Sequence, residues 1–369
     1  MKILFFVHSL RRGGAEKLLL QIASHLLRKG HEVMVVQAVD CNEYTEVEYS
    51  DIKKVSLIKT EEYKWPYIFP KLSQQFKKIN QEYAPDLICA FSPIMVIIAA
   101  FAGVKNKFIH VIQGYGSVAR DTSIKQRLYK LLDKISMYLL NYDVIVPTAS
   151  LKEAFLSYIH TDSSKVRVIA SGIDSINLQP NNNIEFTDKL IITMLGTVYK
   201  QKGQRYAVDA LKELKILNPG LEVSILIIGS GSDLLFIQDK IKKLGLGDSI
   251  SLLGRRDDAF DLVANSHIFW HLSESEGMPL VIMEAMALGV PAIGFNVRGV
   301  NDIIEHGVDG YLASFKDMKA IANFTNSLIL DVDSYKKFRT NARTKIDQKY
   351  TIDNMLINYE KHFIKSIQN

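Results

Sequence analysis

The chain has 369 residues, 47% hydrophobic and 23% charged, with a net charge of +5; at roughly 150 residues per domain that implies about two globular domains and excludes a disordered, collagen-like or low-complexity chain. Its two cysteines, Cys41 and Cys89, exclude a disulfide framework and a four-thiolate zinc site, and fit a reducing compartment. The positive excess lies in residues 1–180, where 23 basic face 17 acidic side chains, whereas residues 181–369 carry 22 and 23.

In chain order, residues 2–7 read as an apolar strand. The apolar run at 3–7 is too short for a signal-peptide core and is followed by Arg11 and Arg12. A Gly-containing loop leads into a helix over 15–29, with Leu18, Leu19, Ile22, Ala23, Leu26 and Leu27 on one face. Gly30 ends it, and 32–38 is the next strand. Residues 87–104 are uncharged and long enough to span a bilayer. Ser92-Pro93 interrupts them, so a strand leading into a buried helix is the better reading. Further strands fall at 86–91, 108–113, 144–147 and 165–169. Residues 101–140 hold seven basic side chains (Lys105, Lys107, Arg120, Lys125, Arg127, Lys130, Lys134) against Asp121 and Asp133. That bias fits an anionic ligand, an anionic membrane surface or nucleic acid, or simply a solvated helix face.

The polar stretch 179–183 reads as a linker, after which the pattern restarts. A strand at 190–195, a loop at 196–203 and a helix at 204–217 are followed by strands at 222–228, 250–253, 268–272 and 291–295. Beyond Tyr311 the signals are helical, and 351–368 is a closing amphipathic helix. Short apolar runs alternating with helices predict parallel strands in two doubly wound, Rossmann-like units. The expected division is 1–180, 181–350 and a closing helix at 351–369.

In such sheets ligands bind beyond the carboxyl ends of the strands. The loop after the strand at 268–272 runs Ser273-Glu274-Ser275-Glu276-Gly277-Met278-Pro279-Leu280. Pro279 suits the first position of a helix that ends before Gly289. The N–H groups of Gly277, Met278 and Leu280, with the positive end of the helix dipole, suit a diphosphate. Glu276 and Glu284 suit sugar hydroxyls, because each carboxylate accepts two or more hydrogen bonds.

The pattern Ser-x-x-Glu-Gly-x-Pro-x-x-x-x-Glu-Ala-x-x-x-Gly-x-Pro from Ser273 to Pro291 resembles the signature of family 4 retaining glycosyltransferases. So do Leu195-Gly196, Lys202-Gly203, Ile228-Gly229-Ser230-Gly231, Leu253-Gly254-Arg255 and Val308-Asp309-Gly310-Tyr311-Leu312. The resemblance implies a GT-B fold: two Rossmann-like domains facing an inter-domain cleft, with the C-terminal helix crossing back to the first. It implies that Glu284 holds the nucleotide ribose, Glu276 contacts the donor sugar and Lys202 neutralises the diphosphate. Thr197, Gly229, Arg256, Gly277, Met278, Pro279, Leu280 and Arg298 complete the implied donor site. Gly13 and Gly14 line it from the first domain, and Gln113 is the implied acceptor or sugar contact.

Two positions depart from that pattern. Thr197 stands where the family usually has a second phosphate-binding arginine; Lys200, Arg205 or Arg298 are the candidates to supply its charge. Gln113 stands where a histidine is common and shuttles no proton at neutral pH. Three other signals are weak. His267 and His271 have helical metal spacing but fall on a strand, about 13 Å apart. Asp331-Val332-Asp333 resembles a metal-binding Asp-x-Asp but reads as a solvated turn. Gly229-Ser230-Gly231 lacks the third glycine of a dinucleotide fingerprint.

The expected activity is retaining, metal-independent transfer of a sugar, by default from a UDP-sugar, to a glycan or polyprenyl-diphosphate-linked acceptor. Such reactions serve bacterial lipopolysaccharide or capsule synthesis. The alternatives are a GT-B sugar-nucleotide epimerase and a non-catalytic nucleotide-sugar-binding subunit. No cofactor, metal or nucleic acid is expected. The basic stretch 105–134 points to a cytoplasmic protein, peripheral on the anionic inner face of the membrane.

Overall fold

The computed structural model describes residues 1–11, 13–44, 49–59, 68–114, 124–184 and 189–368. The basic-stretch residue Arg120 and the loop residue Arg12 lie outside these. The chain folds into two compact units, Met1–Ala170 with Met355–Asn369, and Ser171–Asn354.

The first unit contains β1 (Lys2–Val7), α1 (Gly14–Arg28), β2 (Glu32–Asp40), β3 (Lys53–Lys59), α2 (Phe69–Tyr83), β4 (Leu87–Ala90) and α3 (Pro93–Ala102). It continues through β5 (Lys107–Val111), α4 (Ile124–Leu140), β6 (Asp143–Val146), α5 (Ala149–Ile159) and β7 (Val166–Val168). The second contains β8 (Lys189–Leu195), α6 (Ala207–Leu217), β9 (Glu222–Ile228), α7 (Leu234–Lys243), β10 (Ile250–Gly254) and α8 (Ala259–Ala264). β11 (Ile268–His271), α9 (Leu280–Ala287), β12 (Ala292–Phe295), β13 (Gly310–Ala313), α10 (Met318–Leu330) and α11 (Val332–Lys349) follow. The final helix, α12 (Ile352–Gln368), falls in the first unit from Met355 onward.

Both sheets are parallel, in the orders β3-β2-β1-β4-β5-β6-β7 and β10-β9-β8-β11-β12-β13. Helices cover both faces, so the central strands are apolar on both sides: Ile3 to Phe6 and Phe269 to Trp270 are fully buried. Strand order reverses between β1 and β4 and between β8 and β11. These are the switch points beyond which such sheets take ligands.

Two edge strands were not expected. β3, Lys-Lys-Val-Ser-Leu-Ile-Lys, is charged at both ends, and β13 is only four residues long. Phe363 and Tyr359 of α12 are buried, with Phe363 6.2 Å from Phe5 of β1, and Glu360 accepts from His25 at 2.9 Å.

The stretch 179–183, read from sequence as a linker, lies inside the second unit. Arg339 Nη2 of α11 donates to the Asn181 carbonyl at 2.6 Å, and Arg343 Nη1 to those of Leu178 at 2.6 Å and Ala287 at 2.5 Å. Arg343 Nη2 also reaches the Ser175 carbonyl at 3.2 Å. The polar stretch instead supplies the Asn181 carbonyl to Arg339, and the residues just before it supply those of Leu178 and Ser175 to Arg343.

Candidate active site

At the second switch point the loops after β8 and β11 meet. Gly203 makes the approach possible. It has φ +73, and a Cβ there would collide with the Leu272 carbonyl. Two hydrogen bonds to the Gln201 carbonyl fasten the loops, from Glu274 N at 2.8 Å and Ser273 Oγ at 3.0 Å. The loop after β12 closes the other side: Glu276 N donates to the Arg298 carbonyl at 3.2 Å, and Gly299, at φ +84, leaves no room for a Cβ beside the Glu276 carbonyl. The motif glycines and serine thus position Glu276.

Glu276 is 8% exposed, and both its carboxylate oxygens have partners. Lys202 Nζ donates to Oε1 at 2.9 Å and Oε2 at 2.8 Å, and His271 Nε2 lies 3.0 Å from Oε1. Burial pushes the carboxyl pKa up, but the hydrogen bond and charge of His271 and those of Lys202 outweigh it, leaving it at about 2. The depressed value means that this ion pair stabilises the fold fully above the ordinary value of 4.5 and ceases to as the pH falls toward 2. Acid titration followed by circular dichroism is therefore expected to show a steeper loss of stability below pH 4.5 in the wild type than in Glu276→Gln. Equal slopes would remove the ion pair as the cause.

His271 is the residue that sequence reasoning missed. Its spacing from His267 drew attention to a metal, but the two rings take unrelated partners. His267 Nδ1 accepts from Ile191 N at 3.0 Å, whereas His271, at the end of β11, turns onto Glu276.

The remaining expected donor residues lie on the same carboxyl edge of this sheet. Gly196 N donates to the Ile228 carbonyl at 3.0 Å and Gly229 N to that of Gly254 at 2.7 Å, aligning the loops after β8, β9 and β10. Thr197 is exposed, and its carbonyl accepts from Gln204 Nε2 at 3.1 Å. Arg256 forms a bidentate pair with Asp258 at 2.8 and 2.7 Å. Arg205, a candidate for the charge that Thr197 lacks, is instead committed to Asp233, its guanidinium 4.1 Å above the Phe236 ring. Lys200 and Arg298 are exposed.

Pro279 is the cap of α9, not its first helical residue: its ψ of 98 is extended, and the helix begins at Leu280. Gly277 and Pro279 are buried and Met278 and Leu280 half-buried; Met278 Sδ accepts from Ser171 N at 3.2 Å. Glu284 is half-buried in the second turn of α9. The helix's first-turn N–H groups point toward the loop that carries Glu276.

In the first unit, Gly13 caps α1 in an extended conformation, and a Cβ there would meet the Glu16 carboxylate folded back over the cap. Gly14 is the first residue of α1. Gln113, just past β5, is half-buried, with its Nε2 buried and without a hydrogen-bond partner. Asp331, of the Asp-x-Asp motif, caps α11 by accepting from Ser334 N at 2.9 Å. Asp309 of the Val-Asp-Gly-Tyr-Leu turn is 1% exposed and bonded to Glu305 N and Lys345, so that motif is structural.

The geometry can hold a nucleotide diphosphate: a lysine and a helix amino end converge beside an ionised carboxylate at a switch point. HepE of Anabaena, in complex with UDP, superposes with a TM-score of 0.85 at 21% identity, covering 99% of this chain and all of that one. The chain therefore has the GT-B fold. An uncharacterized glycosyltransferase of Haemophilus influenzae is 23% identical over 96% of this chain and 98% of its own length. The Campylobacter jejuni enzyme GalNAc-alpha-(1->4)-GalNAc-alpha-(1->3)-diNAcBac-PP-undecaprenol alpha-1,4-N-acetyl-D-galactosaminyltransferase is 23% identical over 94% and 93%. The model of Glycosyltransferase Family 4 matches residues 12–175 and that of Glycosyl transferases group 1 matches residues 175–345; on these matches, this chain belongs to the family 4 glycosyltransferases.

Proposed function

We propose that the protein moves a sugar from a nucleotide-sugar donor, a UDP-sugar, to a glycan or polyprenyl-diphosphate-linked acceptor in bacterial surface polysaccharide synthesis. The reaction retains the configuration at the anomeric carbon and uses no metal. The observation that carries this reading is the Lys202–Glu276 pair at the amino end of α9. UDP in the HepE complex and the undecaprenol-linked substrate of the Campylobacter relative support the donor and acceptor classes.

As the bond from the anomeric carbon to the diphosphate oxygen breaks, negative charge grows on the leaving nucleotide. Lys202 Nζ and the first N–H groups of α9 meet that charge, an interaction stronger in the transition state than in the ground state. Lys202 then shares its charge between phosphate and Glu276, and His271 keeps the carboxylate anchored. Glu276 accepts hydrogen bonds from the donor sugar, and Glu284 from the ribose. No described helix is long and apolar enough to cross a membrane. Residues 105–134 serve peripheral attachment to the inner membrane face.

Thermal unfolding with a panel of nucleotides and nucleotide sugars tests the reading. A ligand at 100 times its Kd adds about 2.7 kcal/mol of stability, and a uridine diphosphate or its sugar is expected to do so. If no nucleotide stabilises the chain, the proposal fails. Conversion of the donor to another nucleotide sugar without acceptor would replace it with an epimerase.

A further inference from the structure

A cavity of about 850 Å³ opens in the first unit, far from its glycine loop. It lies between α12 and the amino ends of β5 and β6, and runs along the edge strand β7. Lys107 is the first residue of β5 and Gln113 lies beyond its last. The β5 wall of the cavity thus lies about 20 Å from Gln113 at 3.3 Å per residue, while along the edge strand the cavity extends to Val168 and Ile169 at the end of β7.

The walls are cationic. Lys105 and Lys107 come from the start of β5, Lys165 and Arg167 from β7 and the turn before it, and Lys361 and Lys365 from successive turns of α12. Asp143 is the sole carboxylate in the lining. No ion pair ties any of the six cations to a carboxylate among the described residues. Lys165 donates to Asn141, another wall residue, and is thereby held in place.

Five of the six cations are exposed, so the charges are open to a ligand from solvent. Segments distant in sequence bring six like charges around one concavity, a summed positive field that attracts an anion. A second observation points the same way. His362 lines the cavity, and its Nε2 is buried without a hydrogen-bond partner. Burial lowers its pKa, with Asp143 opposing and Arg167 and Lys365 adding to the fall. These neighbours place the ring amid the cations.

We propose that this cavity binds a phosphate-bearing polyanion, either a free diphosphate or the phosphorylated headgroup of a lipid. Phosphate matches the wall because each oxygen accepts from several donors, and lysine and arginine are its ordinary partners. The site is independent of the transfer reaction, since none of its residues belongs to the donor loops.

The test compares the wild type, the charge-reversed variant Arg167→Glu/Lys361→Glu/Lys365→Glu, and Lys202→Ala. Inorganic pyrophosphate is titrated calorimetrically with UDP present at saturation. Separately, each protein is sedimented with vesicles of phosphatidylglycerol or of phosphatidylcholine alone. The expected result is binding to pyrophosphate or to the anionic vesicles that weakens with salt, falls at least tenfold in the charge-reversed variant and persists in Lys202→Ala. Pyrophosphate binding identifies a soluble ligand; vesicle binding without it identifies a headgroup. No binding to either probe, or binding indifferent to charge reversal, overturns the proposal. The three substituted side chains are exposed, and the milder Lys361→Ala/Lys365→Ala serves if the triple variant melts early. Loss of binding only in Lys202→Ala would assign the phosphate to the donor site and also overturn it.

Discussion

Replacing Lys202 with alanine is expected to cut kcat/KM for sugar transfer by about 10²–10³, as removal of one preorganised donor at a developing anion commonly does. Its ammonium is a fixed charge that need not reorganise as the diphosphate leaves. The Lys200–Lys202 turn is closed by Lys202 N to the Tyr199 carbonyl at 2.8 Å and Gly203 N to that of Lys200 at 3.2 Å. The loss should fall mainly on kcat, with weaker nucleotide affinity measured by calorimetry. Stability should change little, by about 1 kcal/mol, because the lysine side chain is 36% exposed and water screens its pairing. Lys202→Arg should recover part of the rate. Wild-type kinetics in Lys202→Ala would remove it from the reaction.

Gly203→Ala should produce the largest loss of stability in the second unit. Two costs add. The left-handed φ of +73 strains any residue with a Cβ by about 1–2 kcal/mol, and that Cβ would sit inside the Leu272 carbonyl. Leu272 directly follows the central strand β11 and is fully buried, so its backbone cannot give way. The turn must move instead, carrying Lys202 away from Glu276. A loss of about 3 kcal/mol or more is expected, lowering Tm by roughly 6–12 °C, with weakened nucleotide binding. Gly220→Ala is the control: nothing lies within 4 Å of its Cβ position and its φ is ordinary. If the two variants melt together, the close approach is not what holds the loops.

Much of this was legible in the sequence because it depends on local chemistry. Buried parallel strands announce themselves as apolar runs, and Glu276 and Lys202 stood out through the family pattern they share, whose glycines let their loops touch. What escaped depends on partners far along the chain. β3 and β13 lie at sheet edges, where half-solvated strands lose the apolar signal. Nothing near Arg205 reveals that Asp233, 28 residues on, takes its guanidinium. The role of His271 required knowing that the loop after β11 doubles back within five residues. Pro279 differed for a smaller reason: its φ of −75 suits a helix, but its ψ of 98 does not.

The contacts of Arg343 also determine where the gene can be cut. A recombinant boundary at Pro180 would leave the carbonyls of Ser175 and Leu178 on one fragment and Arg343 on the other. Arg343 would keep the Ala287 carbonyl and Asp347 but lose two acceptors, which leaves donors unpaired rather than simply removing a contact. A donor-unit cassette for chimeric enzymes therefore begins at Ser171 and ends at Asn354. The segment that looks like a hinge travels with the cassette as part of its wall.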